Sequence, residues 1–289
     1  MSDSMEIPLP PHLYRFRTYG APHAQGKDKD TVFDLLAGRI RFARLQDFND
    51  PFEGRPRAVP AFKDAGKQRS AVQRYIYMIH REHGFPPKEA RRKAEEAIHQ
   101  KSQAELVDWM GERLIETNSA DGLYLCCLSG PDAMGNPLTW SHYADHHRGV
   151  AIHFDTTLPP FRFALPVEYS QTYPESVVPR IYQDPLEHMK RSFLTKSHWW
   201  SYECEFRIIK VDWWASQRDP RATSLLVQWK DTTAITSPEA VVGITLGARM
   251  PARERAELTA KIRAYFPGIE IWHASLHRSR YEIVADRVT

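Results

Sequence analysis

Apolar and polar residues alternate along several short segments of the chain, which is the pattern of half-buried β-strands. These segments lie at residues 12–17, 39–45, 123–129, 149–155, 163–170, 200–211, 225–229, 241–247 and 269–275. Apolar spacings of three and four residues predict helices at 30–37, 66–83, 87–117, 137–147, 184–195 and 251–265. Because strands and helices do not alternate regularly, their order predicts an α+β fold with a mixed, mostly antiparallel sheet.

The stretch 61–118 differs from the β-rich sequence around it, because it is charged and helical throughout. Its first helix is expected to stop at Gly84, since glycine favours helix ends. Its second helix carries an apolar stripe made of Ala90, Ala94, Ile98, Leu106, Met110 and Leu114. We therefore expect a single domain over residues 1–289, with 61–118 as an inserted αα-hairpin.

Charge is distributed unevenly along the chain. Residues 55–101 hold 12 basic and 5 acidic side chains, a net charge of +7, which leaves −4 for the rest of a chain whose total is +3. This asymmetry is typical of a surface that binds nucleic acid or another acidic partner. A solvated helix face gives the same composition, so both interpretations stay open.

The cysteines and the apolar segments bear on the compartment. Cys126, Cys127 and Cys204 form no CxxC motif, so a cysteine-based zinc site is not expected, and the thiols fit a reduced, cytoplasmic protein. The N-terminal sequence lacks the basic and apolar regions of a secretory signal. No run of about 18 apolar residues occurs, so we expect no membrane partner.

The segment WWSYECEFRII, residues 199–209, concentrates charge on an otherwise apolar strand. Strand alternation places Glu203, Glu205 and Arg207 on one face. Buried charges require partners or a polar cleft. In a cleft, one carboxylate can take a proton or stabilise a developing cation while the other orients a second substrate. An ion-paired structural strand is the alternative.

Two further clusters lie earlier in the chain. Arg15 and Arg17 share a face of the first predicted strand and can form a fork for phosphate or carboxylate, although surface arginines give the same pattern. In the turn FNDPFE, residues 48–53, Asn49 and Asp50 can bond to the backbone or contact a ligand.

The last cluster is the segment WSHYADHH, which begins at Trp140. Trp140 and Tyr143 can form a stacking wall for an aromatic ring, or they can be core aromatics. His142 and His146 lie one turn apart on the predicted helix, but the Glu of an HExxH site is absent, so we expect no metal. We expect these clusters to line one cleft.

Six ordered motifs resemble a known bacterial family: LYRFR, RIRFARLQDFNDPFE, LCCLSG, LTWSHYADHHRGVAIHFD, WWSYECEFRII and VVGITLGARM. They resemble domain-of-unknown-function family twenty-nine seventy-one, over about residues 12–285. This resemblance implies no activity, because the family is defined without one.

A looser resemblance is to the ADP-ribosyltransferase fold. Enzymes of that fold often place an Arg or His on the first strand, an aromatic or hydroxyl residue mid-domain and a Glu-x-Glu on a later strand. This chain has the same order, with Arg15 or Arg17, then Tyr143, then Glu203 and Glu205. The Ser-Thr-Ser strand of many toxin members is missing.

The second resemblance implies NAD as substrate and a role for each residue. Glu205 would stabilise the oxocarbenium-like cation as nicotinamide leaves, and Glu203 would orient or deprotonate the acceptor. An arginine would bind the pyrophosphate, and Tyr143, with Trp140, would stack on nicotinamide. The implied NAD-binding set is Arg15, Arg17, Asn49, Asp50, Trp140, His142 and Tyr143.

Three functions therefore stay open. The first is an NAD-using enzyme, either an ADP-ribosyltransferase or an NAD glycohydrolase. It would be a bacterial toxin or defence effector that modifies nucleic acid or protein and has an antitoxin or regulator as partner. The second is a non-catalytic module of a bacterial stress or defence system that binds protein, or nucleic acid through 55–101. The third is a metal-dependent nuclease that uses Asp50, Glu53, His142 and Glu205.

Overall fold

The computed structural model of the protein describes residues 8–19, 32–99, 101–118, 123–179, 191–211 and 228–288. The chain divides into two compact units. The first comprises residues 1–47, 122–167 and 199–289, and the second comprises residues 48–121 and 168–198. The helical stretch 61–118 falls inside the second unit, and a single domain over 1–289 stays a prediction.

The described strands are short. In chain order they are β1 (His12–Arg17), β2 (Arg39–Arg41), β3 (Ala43–Arg44), β4 (Arg57–Pro60), β5 (Leu123–Ser129), β6 (Val150–Asp155), β7 (Leu165–Pro166), β8 (Glu168–Ser170), β9 (Glu175–Val178), β10 (Thr195–Ser197), β11 (Glu205–Val211), β12 (Gln228–Lys230), β13 (Thr233–Ile235), β14 (Val241–Leu246), β15 (Glu270–Leu276) and β16 (Ile283–Arg287).

The helices differ widely in length. They are α1 (Val32–Leu36), α2 (Ala65–Glu82), α3 (Pro87–Ile98), α4 (Gln103–Asn118), α5 (Asp132–Gly135), α6 (Pro137–Tyr143) and α7 (Ala252–Tyr265). Turns of 3-10 helix occur at Leu45–Asp47, Phe161–Phe163, His198–Glu203 and Pro238–Ala240. No helix in the described parts of the chain is long and apolar enough to cross a bilayer.

The first unit is built on a nine-stranded sheet. Its order is β16-β15-β14-β6-β1-β5-β11-β7, and β3 also pairs with β5. All of these pairs are antiparallel apart from β14 with β15, which is parallel. A second sheet joins β12, β13 and β2. The α+β fold with a mixed, mostly antiparallel sheet is therefore confirmed.

Apolar side chains cover both faces of the large sheet. On one face, Leu13, Ile152 and Ile244 belong to a core that includes Leu258 and Ile262 of α7. On the other face, the core is smaller and is built from Phe16, Ala133, Trp140, Ala144, Ala151, Ala274 and Ile283. The two faces are thus distinct environments, and strand alternation decides which one each side chain enters.

The second unit packs α2, α3 and α4 around an apolar cluster to which Val178 also belongs. β4 pairs with β9, and β8 pairs with β10, both in parallel. Gln68 is fully buried, and its side chain donates to the carbonyl of Val178 (2.9 Å) and accepts from the amide of Phe62 (3.1 Å). Both ends of this buried amide are therefore satisfied.

The predicted helix 87–117 is two helices, α3 and α4. The helical conformation is interrupted before Ser102. The Ser102 hydroxyl accepts from the Glu105 amide (3.3 Å), and the Glu105 carboxylate accepts from the Ser102 amide (2.6 Å). This reciprocal capping box starts a new helix. The predicted apolar stripe is nevertheless buried on both sides of the break, so the predicted αα-hairpin is a three-helix arrangement.

Other boundaries also differ from the predictions. The strand predicted at 163–170 is divided into β7 and β8, and β4, β9, β13 and β16 had no predicted counterpart. The helix predicted at 137–147 ends at Tyr143, because Asp145, His146 and His147 have positive φ. The helix predicted at 184–195 and the strand predicted at 225–229 lie largely outside the described residues, as does the start of the helix predicted at 30–37.

Candidate functional site

Strand register gathers polar groups on one face of the large sheet. Ser129 of β5 lies opposite Tyr14 of β1 on one side and opposite Glu205 of β11 on the other. Directly opposed residues point to the same face, so these three side chains share it. Arg207 and Cys127, also directly opposed, follow on the same face.

Glu205 and Arg207 form an ion pair inside the protein. Arg207 Nε donates to Glu205 Oε1 at 2.7 Å, and a second guanidinium nitrogen donates to Oε2 at 3.2 Å. The side chains are 4% and 0% exposed. Two parallel hydrogen bonds fix the carboxylate in place and offset the cost of burying both charges.

Glu203 takes a different direction from Glu205. The strand begins only at Glu205, because His198–Glu203 is a 3-10 helix and Cys204 has a φ of +46°. The prediction that Glu203, Glu205 and Arg207 share one face of a strand is therefore wrong for Glu203. Glu203 is buried, and the phenolic hydroxyl of Tyr143 donates to its Oε1.

The backbone kink at Cys204 depends on its neighbours. The amide of Gly130 donates to the Cys204 carbonyl at 2.7 Å, and a Cβ at Gly130 would lie only 3.2 Å from that oxygen. Burial, followed by the negative charges of Asp132 and Glu203, raises the pKa of the Cys204 thiol. The thiol therefore stays protonated at neutral pH, and it is a poor nucleophile.

Helix α6 carries the aromatic side chains of His142 and Tyr143 and lies next to the segment that precedes β11. Its N-cap Asn136 accepts from the Leu138 amide at 2.9 Å, and Pro137 fits the first helical position. Thr139 ties the helix to the segment before β11 by donating to the Tyr202 carbonyl at 3.3 Å. His142 is exposed, with its ring centre 5.9 Å from that of Tyr202.

Trp140 is one of the core aromatics, which was the second of the two interpretations of this residue. Its side chain is 0% exposed, its Nε1 donates to the Met134 carbonyl at 2.8 Å, and its ring meets Phe16 edge to face at 5.1 Å. A fully buried ring offers no surface to a ligand, so the expected stacking wall does not include Trp140.

Arg15 and Arg17 point to the sheet face opposite Tyr14, because they alternate with it on β1. Arg15 donates to the Arg41 carbonyl at 3.2 Å and to Cys126 Sγ at 3.7 Å. Arg17 donates to the Phe16 carbonyl at 3.1 Å. The sheet therefore separates both guanidinium groups from Glu205, and the structure does not bring them together.

The FNDPFE turn lies in the second unit. Asp50 is buried, and its Oδ1 accepts from the Phe52 amide at 2.9 Å, which is a side-chain bond that stabilises a turn. Asn49 belongs to the same turn. Glu53 forms a buried ion pair with Lys196 (3.5 Å). No local pattern predicts this pair, because 143 positions separate the two residues.

His153 is a polar residue of the shared sheet face that the sequence analysis missed. It lies on β6 opposite Tyr14, meets that ring edge to face at 4.9 Å, and its Nε2 is 2.8 Å from Thr245 Oγ1. Burial, with a smaller effect of the His12 charge, lowers its pKa to about 3. The sequence signal that indicates this residue is a single histidine within the mostly apolar strand GVAIHFD, residues 149–155.

The histidine pair considered for metal binding is not on one helix, because α6 ends at Tyr143, before His146. Within the described ranges, no group of three or more His, Cys, Asp and Glu side chains is placed to hold a metal ion. Of the four residues considered for a nuclease site, Asp50 and Glu53 lie in the second unit, and His142 and Glu205 lie in the first.

A comparison with known protein families finds a match over most of α6 and part of β11. The family described as protein of unknown function (DUF2971) matches residues 139–208. Residues 139–208 are thus similar to this family. This region includes most of α6, together with Glu203 and the Glu205–Arg207 pair, and it is shorter than the 12–285 span of the six motifs. Searches of the curated proteins and of the solved structures found no match, so the resemblance to ADP-ribosyltransferases stays a prediction.

Proposed function

We propose that the protein is an ADP-ribosyltransferase-like enzyme that uses NAD and acts at the corner where α6 meets the start of β11. The observation that carries the proposal is a pair of buried carboxylates held in two different ways. Glu205 is fixed by Arg207 inside the sheet, whereas Glu203 accepts from the half-buried Tyr143.

This division of partners supports two chemical roles. When the glycosidic bond of NAD breaks, nicotinamide leaves with the bonding electrons, and the ribose carbon becomes electron-poor. A preorganised carboxylate stabilises that positive charge. The acceptor then forms a bond to the same carbon and loses a proton to a base. Glu205 serves the first role in the proposal, and Glu203, aligned by Tyr143, serves the second.

The environment also favours this chemistry physically. Electrostatic interactions are stronger in a site that excludes water than in bulk solvent. Glu203 is 3% exposed and Glu205 is 5% exposed. Tyr143 contacts Glu203, and its ring centre lies 6.2 Å from that of His142, so the two rings can give an aromatic surface for a planar ring. The cation that would bind the pyrophosphate has to come from a residue other than Arg15 or Arg17 if the substrate lies on this face.

The test is NAD turnover with adenine-labelled NAD and with protein, DNA and RNA acceptors. Wild type is compared with Glu203→Gln and Tyr143→Phe, each checked for native circular dichroism. We expect Glu203→Gln to lower transfer by about 10²–10³-fold. The matched control is Glu257→Gln, since Glu257 pairs with the exposed Arg253 on the surface of α7. Equal turnover in wild type and Glu203→Gln would refute the site.

A non-catalytic nucleic-acid-binding module is the second candidate. Nine of the twelve basic side chains of 55–101 are exposed: Arg55, Arg57, Lys63, Lys67, Arg74, Arg81, Lys88, Arg91 and Arg92. Arg69 is instead structural, because it donates to the carbonyls of Ile98 (2.6 Å) and Lys101 (2.8 Å). Several exposed positive charges on one helical segment favour phosphate contacts.

Fluorescence anisotropy with labelled single-stranded and double-stranded oligonucleotides at two salt concentrations tests this candidate. Binding through these side chains weakens steeply as salt rises, because counterions are released on association. The double variant Lys67→Gln/Arg74→Gln should weaken binding to every sequence alike, whereas Arg253→Gln in the first unit should not. Oligonucleotide binding that is unchanged by salt and by the double variant would exclude this candidate function.

A further inference from the structure

We propose that a groove beside α7 binds a phosphoryl group, as a site that is independent of Glu203 and Glu205. The groove has a volume of about 360 Å³ and lies between one side of α7 and His273 of β15. This volume is in the range of small-molecule sites. It also exceeds what a single inorganic phosphate fills.

The spacing along α7 explains how the groove forms. Ala252, Ala256 and Ala260 recur every four residues and lie on one side of the helix. Their small side chains leave open space above the helix surface. Arg255, Thr259 and Arg263 recur at the same spacing and line the same space. The helix therefore presents an apolar strip next to a strip of hydrogen-bond donors.

Three polar atoms in this groove are buried and have no hydrogen-bond partner in the described parts of the chain. They are Arg255 Nε, Thr259 Oγ1 and His273 Nε2. Buried polar atoms without a partner are uncommon, because each has lost its hydrogen bonds to water. Here they come from one helix and one strand and line a single cavity, which favours one ligand that satisfies all three.

Other contacts fix the orientation of Arg255. The Nη2 atom of its guanidinium donates to the carbonyls of Gly247, Ala248 and Met250 at 3.3 to 3.5 Å. The arginine is thus anchored to the loop before α7, and its Nε–H stays available. A donor held in place by other bonds loses little freedom when a ligand binds.

The donor set selects an anion. Arginine only donates, Arg255 and Arg263 both carry positive charge, and a threonine hydroxyl and an imidazole N–H can donate as well. Ala252 is the first residue of α7, so the positive end of the helix dipole borders the groove. Several donors at different angles fit the oxygens of a phosphoryl group, and the alanine strip can contact the apolar part of a phosphate ester.

The charges around His273 set the expected pH dependence. Burial, then the positive charge of Arg255, lowers the pKa of His273. Asp286 lies opposite His273 on β16 and is exposed. A bound phosphoryl group adds negative charge beside the imidazole, so it raises the pKa of His273 relative to the free protein.

Calorimetric titration of the full chain with inorganic phosphate, adenosine monophosphate and adenosine tests the proposal. We expect both phosphate compounds to bind and adenosine not to bind. Tighter binding of the nucleotide means that a phosphate ester is the ligand, whereas equal binding means that free phosphate is. Binding by none of the probes, or equal binding of adenosine and its monophosphate, would overturn the proposal.

Variants place the site on α7. Arg263→Gln and Thr259→Val should weaken phosphate binding by about ten- to a hundredfold, because each removes a donor to a charged group. Lys261→Gln is the matched control, since Lys261 is an exposed cation of the same helix outside the groove. Wild-type affinity in both groove variants would overturn the proposal. NMR titration of the His273 imidazole with and without phosphate gives a second readout, in which an unchanged pKa also counts against it.

Discussion

Arg207 binds both carboxylate oxygens of Glu205, its neighbour two positions earlier on the same strand. The two side chains point to one face because strand alternation has a period of two. Both charged side chains are almost completely buried, so water cannot replace either partner of the pair. This pair is therefore both the electrostatic centre of the candidate site and a structural requirement of β11.

Glu205→Gln should lower the free energy of unfolding by about 3–5 kcal/mol, because it removes the carboxylate that accepts two hydrogen bonds from the buried Arg207. Urea denaturation followed by circular dichroism measures this loss. The double variant Glu205→Leu/Arg207→Met should be more stable than the single variant, since it removes both charges. If the double variant is the less stable of the two, the ion pair is not the source of the effect.

Tyr143→Phe should lower the free energy of unfolding by about 1–3 kcal/mol, because the buried Glu203 loses the phenolic donor. The substitution removes only the hydroxyl and leaves the ring volume in place. Tyr265→Phe serves as the control, since Tyr265 is 73% exposed. Thermal unfolding should separate the two variants, and equal melting temperatures would argue against the hydrogen bond.

Trp140→Ala should cost about 3–5 kcal/mol of stability, because it removes a fully buried ring that packs on Phe16. Trp199→Ala should change the unfolding free energy by less than about 0.5 kcal/mol, since Trp199 is 77% exposed. Chemical denaturation of both variants makes the comparison. A small cost for Trp140 would restore it as a residue that could contact ligands.

Sequence periodicity was enough to predict most of the first unit. The strands around 123–129, 149–155 and 241–247, and the helix at 251–265, were found near their observed bounds because their apolar patterns are long and regular. Short strands such as β4 and β9 pair across distant parts of the chain, and a run of four residues carries no periodic signal of its own.

The candidate site was predicted only in part, and for a physical reason. Tyr143 and Glu203, both selected from the sequence, are in hydrogen-bond contact, whereas the role of Tyr143, Glu203 and Glu205 in one site stays a prediction. The kink at Cys204 was not predictable, because a positive φ at a cysteine depends on the Gly130 amide brought there by the fold. The face of Arg15 could not be assigned either, because alternation gives relative faces and not which face is the cleft.

Ser102→Ala should lower the stability of α4 by about 1 kcal/mol, because it removes the hydroxyl that caps the helix. Glu105→Gln should cost less, since the amide can still accept from the Ser102 backbone. Ser102 and Glu105 are exposed, so burial does not slow hydrogen exchange at the start of α4. The measurement is therefore hydrogen exchange of the first backbone amides of α4. Protection that is unchanged in Ser102→Ala would mean that tertiary packing, and not the cap, sets the start of α4.

His153 should make the protein less stable as the pH falls. Its pKa is about 3 in the folded protein and near 6.5 when unfolded. Between these values the unfolded chain binds more protons, so the free energy of unfolding decreases with falling pH, by up to about 1.4 kcal/mol per pH unit. The contribution is complete above pH 6.5 and is lost progressively toward pH 3. In His153→Asn, urea denaturation from pH 7 to pH 4 should show a shallower dependence than in wild type. An equal slope in the two proteins would mean that other groups, such as His147 and His273, carry the acid sensitivity.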